Sequence, residues 1–316
     1  MKPQFIFEPR THGHFPVEFA SVCAPSPNGV ILALTSGVSY IVHTLDGHLW
    51  KLHRAKQHLD SLYNELIVFL QPDCYQIVDE VEPEGQVIRR MLRRRIIFTR
   101  EPPLFHWGTM IGDYIQNVRS ALDQVIFAIS YSRNPDEFVN DRTTFFPIFN
   151  DRDAFNRPRR KRPALYEIRG IPPDAKAIVE GLQPYHRGKD AASDPLWLVH
   201  EMSNIDKHRN IHLAAWAAHT IALDITQLLP GARLHSLNIR PTGMIESGAV
   251  LAEVDFSYPG LGHMMVMEKN FLFTIALDEP AEVRGEPLNS ALAYIGGYVE
   301  AIVGVLDGFV VRAPNN

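Results

Sequence analysis

Two hydrophobic periods divide this chain of 316 residues, and their order along the sequence limits the folds that it can adopt. Up to about residue 219, most apolar side chains recur at helical spacing, whereas the segment "AVLAEVDFSY" (249–258) alternates apolar and polar residues as a strand does. Helical spacing returns in the apolar segment 287–310. Since helices and strands do not alternate as βαβ units, the sequence predicts an α+β fold.

The predicted elements form an antiparallel helical bundle that carries two β-structures. An N-terminal β-hairpin is expected over 75–99, where two β-rich runs flank a Pro-Glu-Gly turn, and an antiparallel meander is expected over 220–278. Ser193 or Asp194 is predicted to cap the helix that contains most of the polar residues discussed below. The helices are predicted over 48–70, 102–130, 172–184, 196–218 and 287–310.

The predicted domain organisation is an irregular N-terminal extension over 1–45 and one α+β domain over 46–316. Within that domain the helical part is expected over 46–219 and 285–312, and the sheet part over 220–280. The two cysteines are too few for a disulfide framework, which favours a reducing compartment. The early apolar run is too short to span a bilayer, so a cytoplasmic protein without a membrane partner is expected.

The segment "HEMSNIDKHRNIH" (200–212) contains an unusual concentration of polar side chains. On a helix that advances 100° per residue, five of them share about one third of the surface. These five residues are His200, Glu201, Asn204, His208 and His212. Such a stripe is either the solvated side of an ordinary helix or one wall of a site.

The helix over 102–130 has a similar stripe, in which Asp113, Asn117 and Gln124 align. We expect Asp113 and Asn117 to face the histidine stripe in a polar pocket, because burying these groups unpaired is unfavourable. Arg119 and Asp123 lie on another side of the same helix at i and i+4, a spacing that predicts an ion pair.

Two chemistries fit these stripes besides simple solvation. His200, Glu201, His208 and His212, with help from Asp113, are candidate ligands for a divalent transition metal, as in a hydrolase or an oxygenase. The alternative is metal-free acid–base chemistry, in which a carboxylate orients a histidine and an arginine holds a phosphate. The candidate catalytic residues are Arg119, His208, Asp113, Asn117, His200 and Asn204.

Four segments, "GDYIQNVRSALDQ", "FFPIF", "LQPYHRG" and "PLWLVHEMSNIDKHR", resemble a pattern in a family of uncharacterised bacterial proteins. The resemblance covers roughly residues 48–312. In that family the first segment ends in Asp-His, where this chain has Asp123 and Gln124. The resemblance implies a family but no activity.

More distantly, "RSALDQ" is similar to the HEPN ribonuclease motif, in which an arginine is followed a few residues later by a histidine. The corresponding positions are Arg119 and Gln124, so the imidazole is missing. The resemblance implies a HEPN-like protein that binds or cleaves RNA without a cofactor, such as a toxin or a phage-defence component. His208 would then replace the missing histidine, with Arg119 or Arg209 beside the phosphate.

Two basic segments stand out in a chain whose net charge is -5. For "RRMLRRR" (89–95), pairing with the acidic run "DEVEPE" across the hairpin is the favoured explanation. The second basic segment, "RPRRKR" (157–162), has no acidic partner nearby in the sequence. Clustered arginines bind phosphate backbones well. Its candidate RNA-binding residues are Arg157, Arg159, Arg160, Lys161 and Arg162.

A third class of function is a non-catalytic interaction module. The apolar closing segment 287–310 would then serve as a dimer surface. This hypothesis predicts a homodimer.

Overall fold

The computed structural model describes residues 45–312 except for 72, 85–88, 139–140, 159–161, 164, 218–232, 240–242 and 258–272. The predicted N-terminal extension therefore lies outside the described residues, apart from Leu45. The described part of the chain combines helices with antiparallel sheets, which confirms the α+β class.

Four of the five predicted helices match the structure within a few residues, and the fifth ends early. Asp194 caps α6 as predicted, since its carboxylate accepts a hydrogen bond from the Leu196 backbone N–H at 2.8 Å. Short 3₁₀ segments cover Tyr166–Ile168, Pro184–Ser193 and Ala281–Val283. The α-helices are α1 (Gly47–Phe69), α2 (Leu104–Arg133), α3 (Pro135–Phe138), α4 (Arg152–Asn156), α5 (Pro173–Gly181), α6 (Pro195–His208) and α7 (Leu288–Asp307).

Helix α2 is the centre of the helical part and packs against α1, α6 and α7. Its apolar side chains, such as Ile111, Val118 and Leu122, are fully buried because they recur on the face that these helices cover. The Tyr114 hydroxyl donates a hydrogen bond to the Leu292 carbonyl at 2.9 Å, which joins α2 to α7.

Helix α6 ends at His208, about ten residues before the predicted end, and the chain then becomes the strand β3 (Leu213–Ala217). Arg209 is extended, and its guanidinium binds Glu279 at 2.5 Å. The same carboxylate accepts a hydrogen bond from the His212 backbone N–H at 2.8 Å. These contacts and the pairing of β3 outweigh the helical propensity of the alanines in "LAAWA". His212 is therefore not on the histidine stripe of α6.

Within the described residues, the strands form two sheets and not one meander. The first sheet has the order β1-β2-β6-β4, so the antiparallel pair β1–β2 continues into strands from the C-terminal half. The second has the order β5-β3-β7. Alternation of apolar and polar residues identifies a strand but does not show which strand it pairs with. The sequence therefore suggested a single meander. The other strands are β1 (Tyr75–Glu84), β2 (Arg89–Phe98), β4 (Arg233–Ile239), β5 (Gly243–Met244), β6 (Val250–Ser257) and β7 (Phe273–Leu277).

Helix α7 is, among the described residues, the one helix long and apolar enough to cross a membrane by length and composition. In this fold it packs against α2 and α6 through buried residues such as Ile295, Val299 and Val303. Tyr294 and Val305 lie exposed on its outer face, where the predicted dimer surface would be. The homodimer stays a prediction, since the structure is of a single chain.

Candidate functional site

The contact between α2 and α6 is polar and close. The Gln116 side-chain amide donates hydrogen bonds to the Ser203 carbonyl and to the Asp206 carboxylate, both at 3.0 Å, and accepts one from the Ser203 hydroxyl at 3.2 Å. Two glycines allow this approach, because a Cβ at Gly112 would collide with the Asp206 carboxylate and one at Gly108 with the Ile211 carbonyl. These hydrogen bonds place Gln116 opposite α6, rather than Asp113 or Asn117.

Two of the three residues in the predicted α2 stripe, Asn117 and Gln124, lie beside α1 instead. Asp113 is exposed, and its backbone carbonyl accepts a hydrogen bond from the Asn117 amide at 2.7 Å. The Asn117 amide oxygen in turn accepts one from the Lys51 ammonium at 3.4 Å. The other aligned residue, Gln124, lies beside the start of α1, where its amide oxygen would touch a Cβ at Gly47. Helical spacing identified this stripe correctly but did not show which helix it faces.

The histidines of α6 are engaged locally or exposed. His200 stacks on Trp197, with ring centroids 5.0 Å apart, and its Nε2 lies 3.0 Å from the Asn204 amide. His208 is exposed in the last turn of α6, and Glu201 is half-buried.

The metal-site hypothesis is not supported by this arrangement. No group of three or more His, Cys, Asp or Glu side chains that could hold a metal ion occurs among the residues that the structure describes. Three of the predicted ligands, His200, Glu201 and His208, lie on α6, and His212 lies beyond the end of that helix.

Arg119 is held by contacts that stabilise the fold. It forms the predicted ion pair with Asp123 at 2.9 Å, and only 14% of its side chain is exposed. Arg119 also donates to the Phe146 carbonyl at 2.7 Å, while Asp123 accepts from the Phe146 backbone N–H at 3.0 Å. The pair thus clamps the "FFPIF" segment to α2. Burial raises the pKa of Asp123, although Arg119, the Phe146 N–H and Lys207 oppose the shift.

Arg119 and His208 are also far apart along the helix pair. Asp206 packs against Gly112, which lies seven residues, or about 10 Å, before Arg119 along α2. Asn210 contacts Gly108, so the two helices are antiparallel and His208 lies on the far side of Asp206 from Arg119. The candidate nuclease residues are therefore not brought together, and their catalytic role stays a prediction that these contacts do not support.

The basic strand β2 is neutralised by carboxylates on both of its neighbours. Arg94 pairs with Asp79 at 2.8 Å and Arg95 with Glu80 at 2.9 Å, which confirms the predicted pairing across to β1. On the other side, β6 supplies Asp255 and Glu253, which pair with Arg89 at 2.5 Å and with Arg93 at 3.0 Å, respectively. Four of the five arginines of β2 are therefore paired with carboxylates within the sheet.

The second basic segment is only partly described. Arg157 is exposed at the end of α4, and the Arg162 guanidinium lies 4.8 Å from the centre of the Tyr166 ring. Arg159, Arg160 and Lys161 lie outside the described residues. Their proposed contact with RNA stays a prediction.

The N-terminal half of α1 exposes basic and aromatic side chains on its outer side. Trp50, His53, Arg54, Lys56 and Gln57 are all exposed there, and we call these five residues the α1 face. The Trp50 and His53 rings meet edge to face at 6.0 Å. Gln57 links the polar members, since its amide oxygen accepts from Arg54 at 3.0 Å and its amide nitrogen lies 3.0 Å from His53 Nε2.

The leucine spacing of α1 predicts the helix but does not indicate the α1 face. A signal was present in residues 47–59, which contain Lys51, Arg54 and Lys56, although Asp60 follows four residues after Lys56. Helical projection of the polar residues would have placed Arg54 beside Trp50.

Comparisons of the chain with family models, with curated proteins and with solved structures find no match. The family resemblance and the HEPN-like character of the bundle therefore stay predictions.

Proposed function

We propose that this protein binds single-stranded RNA on the α1 face without cleaving it. Phosphates are attracted by exposed cations, and unpaired bases stack on exposed aromatic rings. The α1 face supplies both, with Arg54 as the cation and Trp50 as the aromatic platform.

The observation that carries this proposal is the difference between the partners of the cations on α1 and on β2. Arg54 hydrogen-bonds the neutral amide of Gln57, and Lys51 hydrogen-bonds the neutral amide of Asn117. On β2, by contrast, Arg94 and Arg95 each bind a carboxylate. A cation on a neutral partner keeps its charge for a phosphate, whereas an ion pair must be broken before it can bind one.

The exposure of Trp50 favours a single strand over a duplex. Trp50 is 51% exposed to solvent, and the neighbouring His53 ring extends the aromatic surface. Bases in a duplex are already stacked, so only an unpaired base can use such a platform. His53 and Gln57 can exchange their mutual hydrogen bond for one to a 2′-hydroxyl, which favours RNA over DNA.

Binding without cleavage fits the contacts of the candidate nuclease residues. Arg119 is held by Asp123 and by the Phe146 carbonyl, so it is committed to the fold. Of the activities that the resemblance to HEPN proteins implies, only RNA binding belongs to the proposed function.

The α1 face is tested by a matched pair of substitutions, Arg54→Ala and Arg95→Ala, each of which removes one positive charge from the chain. We expect Arg54→Ala to weaken binding of a fluorescein-labelled single-stranded RNA and to reduce the slope of log K against log salt by about 0.7–1, as for one lost phosphate contact. Arg95→Ala leaves binding unchanged, because Glu80 already neutralises Arg95. Fluorescence anisotropy over a salt series measures both.

Two results would contradict the proposal. Equal losses in the two variants would indicate a general charge effect, and no loss in Arg54→Ala would remove the α1 face from binding. Single-stranded DNA of the same sequence serves as the competitor, and equal affinity for both would refute the preference for RNA.

A further inference from the structure

His48, in the first turn of α1, is a fully buried histidine that the proposed RNA contacts do not use. Its Nε2 lies 2.7 Å from a carboxylate oxygen of Asp307, at the C-terminal end of α7. Its Nδ1 is buried and has no hydrogen-bond partner among the described residues.

Charged groups from three elements surround this contact. Asp307 on α7 binds both His48 and Arg312, with the Arg312 guanidinium 2.6 Å from Asp307 Oδ1. Arg312, in the segment after α7, also reaches Asp46, the residue before α1, at 3.0 Å. From α2 the nearby polar group is the neutral amide of Gln124, beside Gly47. The start of α1 is thus tied to the end of α7.

The geometry favours a neutral imidazole. With its proton on Nε2, His48 donates to Asp307 and leaves a lone pair on the buried Nδ1. A second proton would create a buried N–H without an acceptor, which is unfavourable despite the nearby carboxylate. Consistently, burial lowers the pKa of His48, although Asp307 opposes the shift.

We propose that the His48–Asp307 contact is a pH-sensitive switch that holds the N-terminal turns of α1, and with them the α1 face, against α7. When this contact opens, His48 reaches solvent and regains the ordinary histidine pKa of about 6.5. The open form then binds a proton that the closed form excludes, so the closed form loses stability as the pH falls below about 6.5. The regulatory part of this inference rests on the proposed RNA binding, whereas the switch itself does not.

Amide hydrogen exchange of the full chain without RNA tests the switch. Between pH 7.5 and 5.5 we expect the protection factors of the first two turns of α1 to fall by up to about tenfold per pH unit below pH 6.5. In His48→Gln, whose amide can still donate to Asp307 but does not titrate, the protection factors stay constant over this range. The control His58→Gln removes a partly exposed histidine of the same helix, outside the α1 face, and keeps the wild-type dependence.

Two results of the exchange experiment would overturn the switch. Constant wild-type protection, or an unchanged pH dependence in His48→Gln, would overturn the switch. If His48→Gln does not fold, Asp307→Asn replaces it. Loss of the carboxylate lowers the pKa of His48 further, so the fall in protection should extend to lower pH. A wild-type profile in this variant would again refute the switch. Because no RNA is present, this result is independent of the binding experiment above.

Discussion

Replacing Gly108 by alanine should destabilise the protein by about 1–3 kcal/mol, although alanine is the better helix former. A methyl group at this position would lie 2.4 Å from the Ile211 carbonyl oxygen, which belongs to the backbone of the segment after α6. Since that backbone cannot rotate away as a side chain can, α2 and the end of α6 must separate. The free energy of unfolding from urea denaturation measures the loss.

Gly297→Ala on α7 is the matched control for this prediction. Nothing lies within 4 Å of a Cβ at Gly297, so the substitution should stabilise the chain by about 0.5–1 kcal/mol through helix propensity alone. Opposite signs for the two variants support the close contact of α2 and α6. Stabilisation of Gly108→Ala would show that these elements do not approach as closely as described.

Replacing Arg119 by methionine should destabilise the protein by about 2 kcal/mol and leave RNA binding unchanged. The substitution removes the partner of Asp123 and the hydrogen bond to the Phe146 carbonyl, so the "FFPIF" segment loses half of its clamp. This loss is smaller than the usual cost of breaking a fully buried ion pair, because 33% of the Asp123 side chain is exposed. Urea denaturation and fluorescence anisotropy measure the two properties.

Arg133→Met, at the exposed end of the same helix, is the control, and it should change stability by no more than about 0.5 kcal/mol. If Arg119→Met keeps the stability of the wild type but no longer binds RNA, the result would favour a direct role of Arg119 on RNA, as in the nuclease hypothesis, over a structural role. We expect the opposite, an Arg119→Met variant that is less stable and binds RNA with unchanged affinity.

Much of the secondary structure could be predicted from local sequence patterns. The leucine spacing of α1 and the alternation of β6 gave bounds close to those observed, and the i,i+4 spacing of Arg119 and Asp123 predicted their ion pair. These features depend on residues near one another in the chain.

The features that could not be predicted depend on distant parts of the chain. Glu279 binds Arg209 and the His212 backbone and thereby favours the end of α6 at His208. Likewise, the orientation of α2 depends on where Gly108 and Gly112 allow α6 to approach. Periodicity shows that a helix has a polar face, but the packing decides which partner that face meets.

Photocrosslinking tests the central claim, that the α1 face binds single-stranded RNA, most directly. The full chain would be irradiated with 4-thiouridine-labelled single-stranded RNA, digested, and analysed by mass spectrometry for the crosslinked peptides. We predict crosslinks within residues 47–59, centred on Trp50, which disappear when excess unlabelled RNA is added. Crosslinks confined to other parts of the chain, such as residues 152–162, with none in 47–59, would contradict the claim.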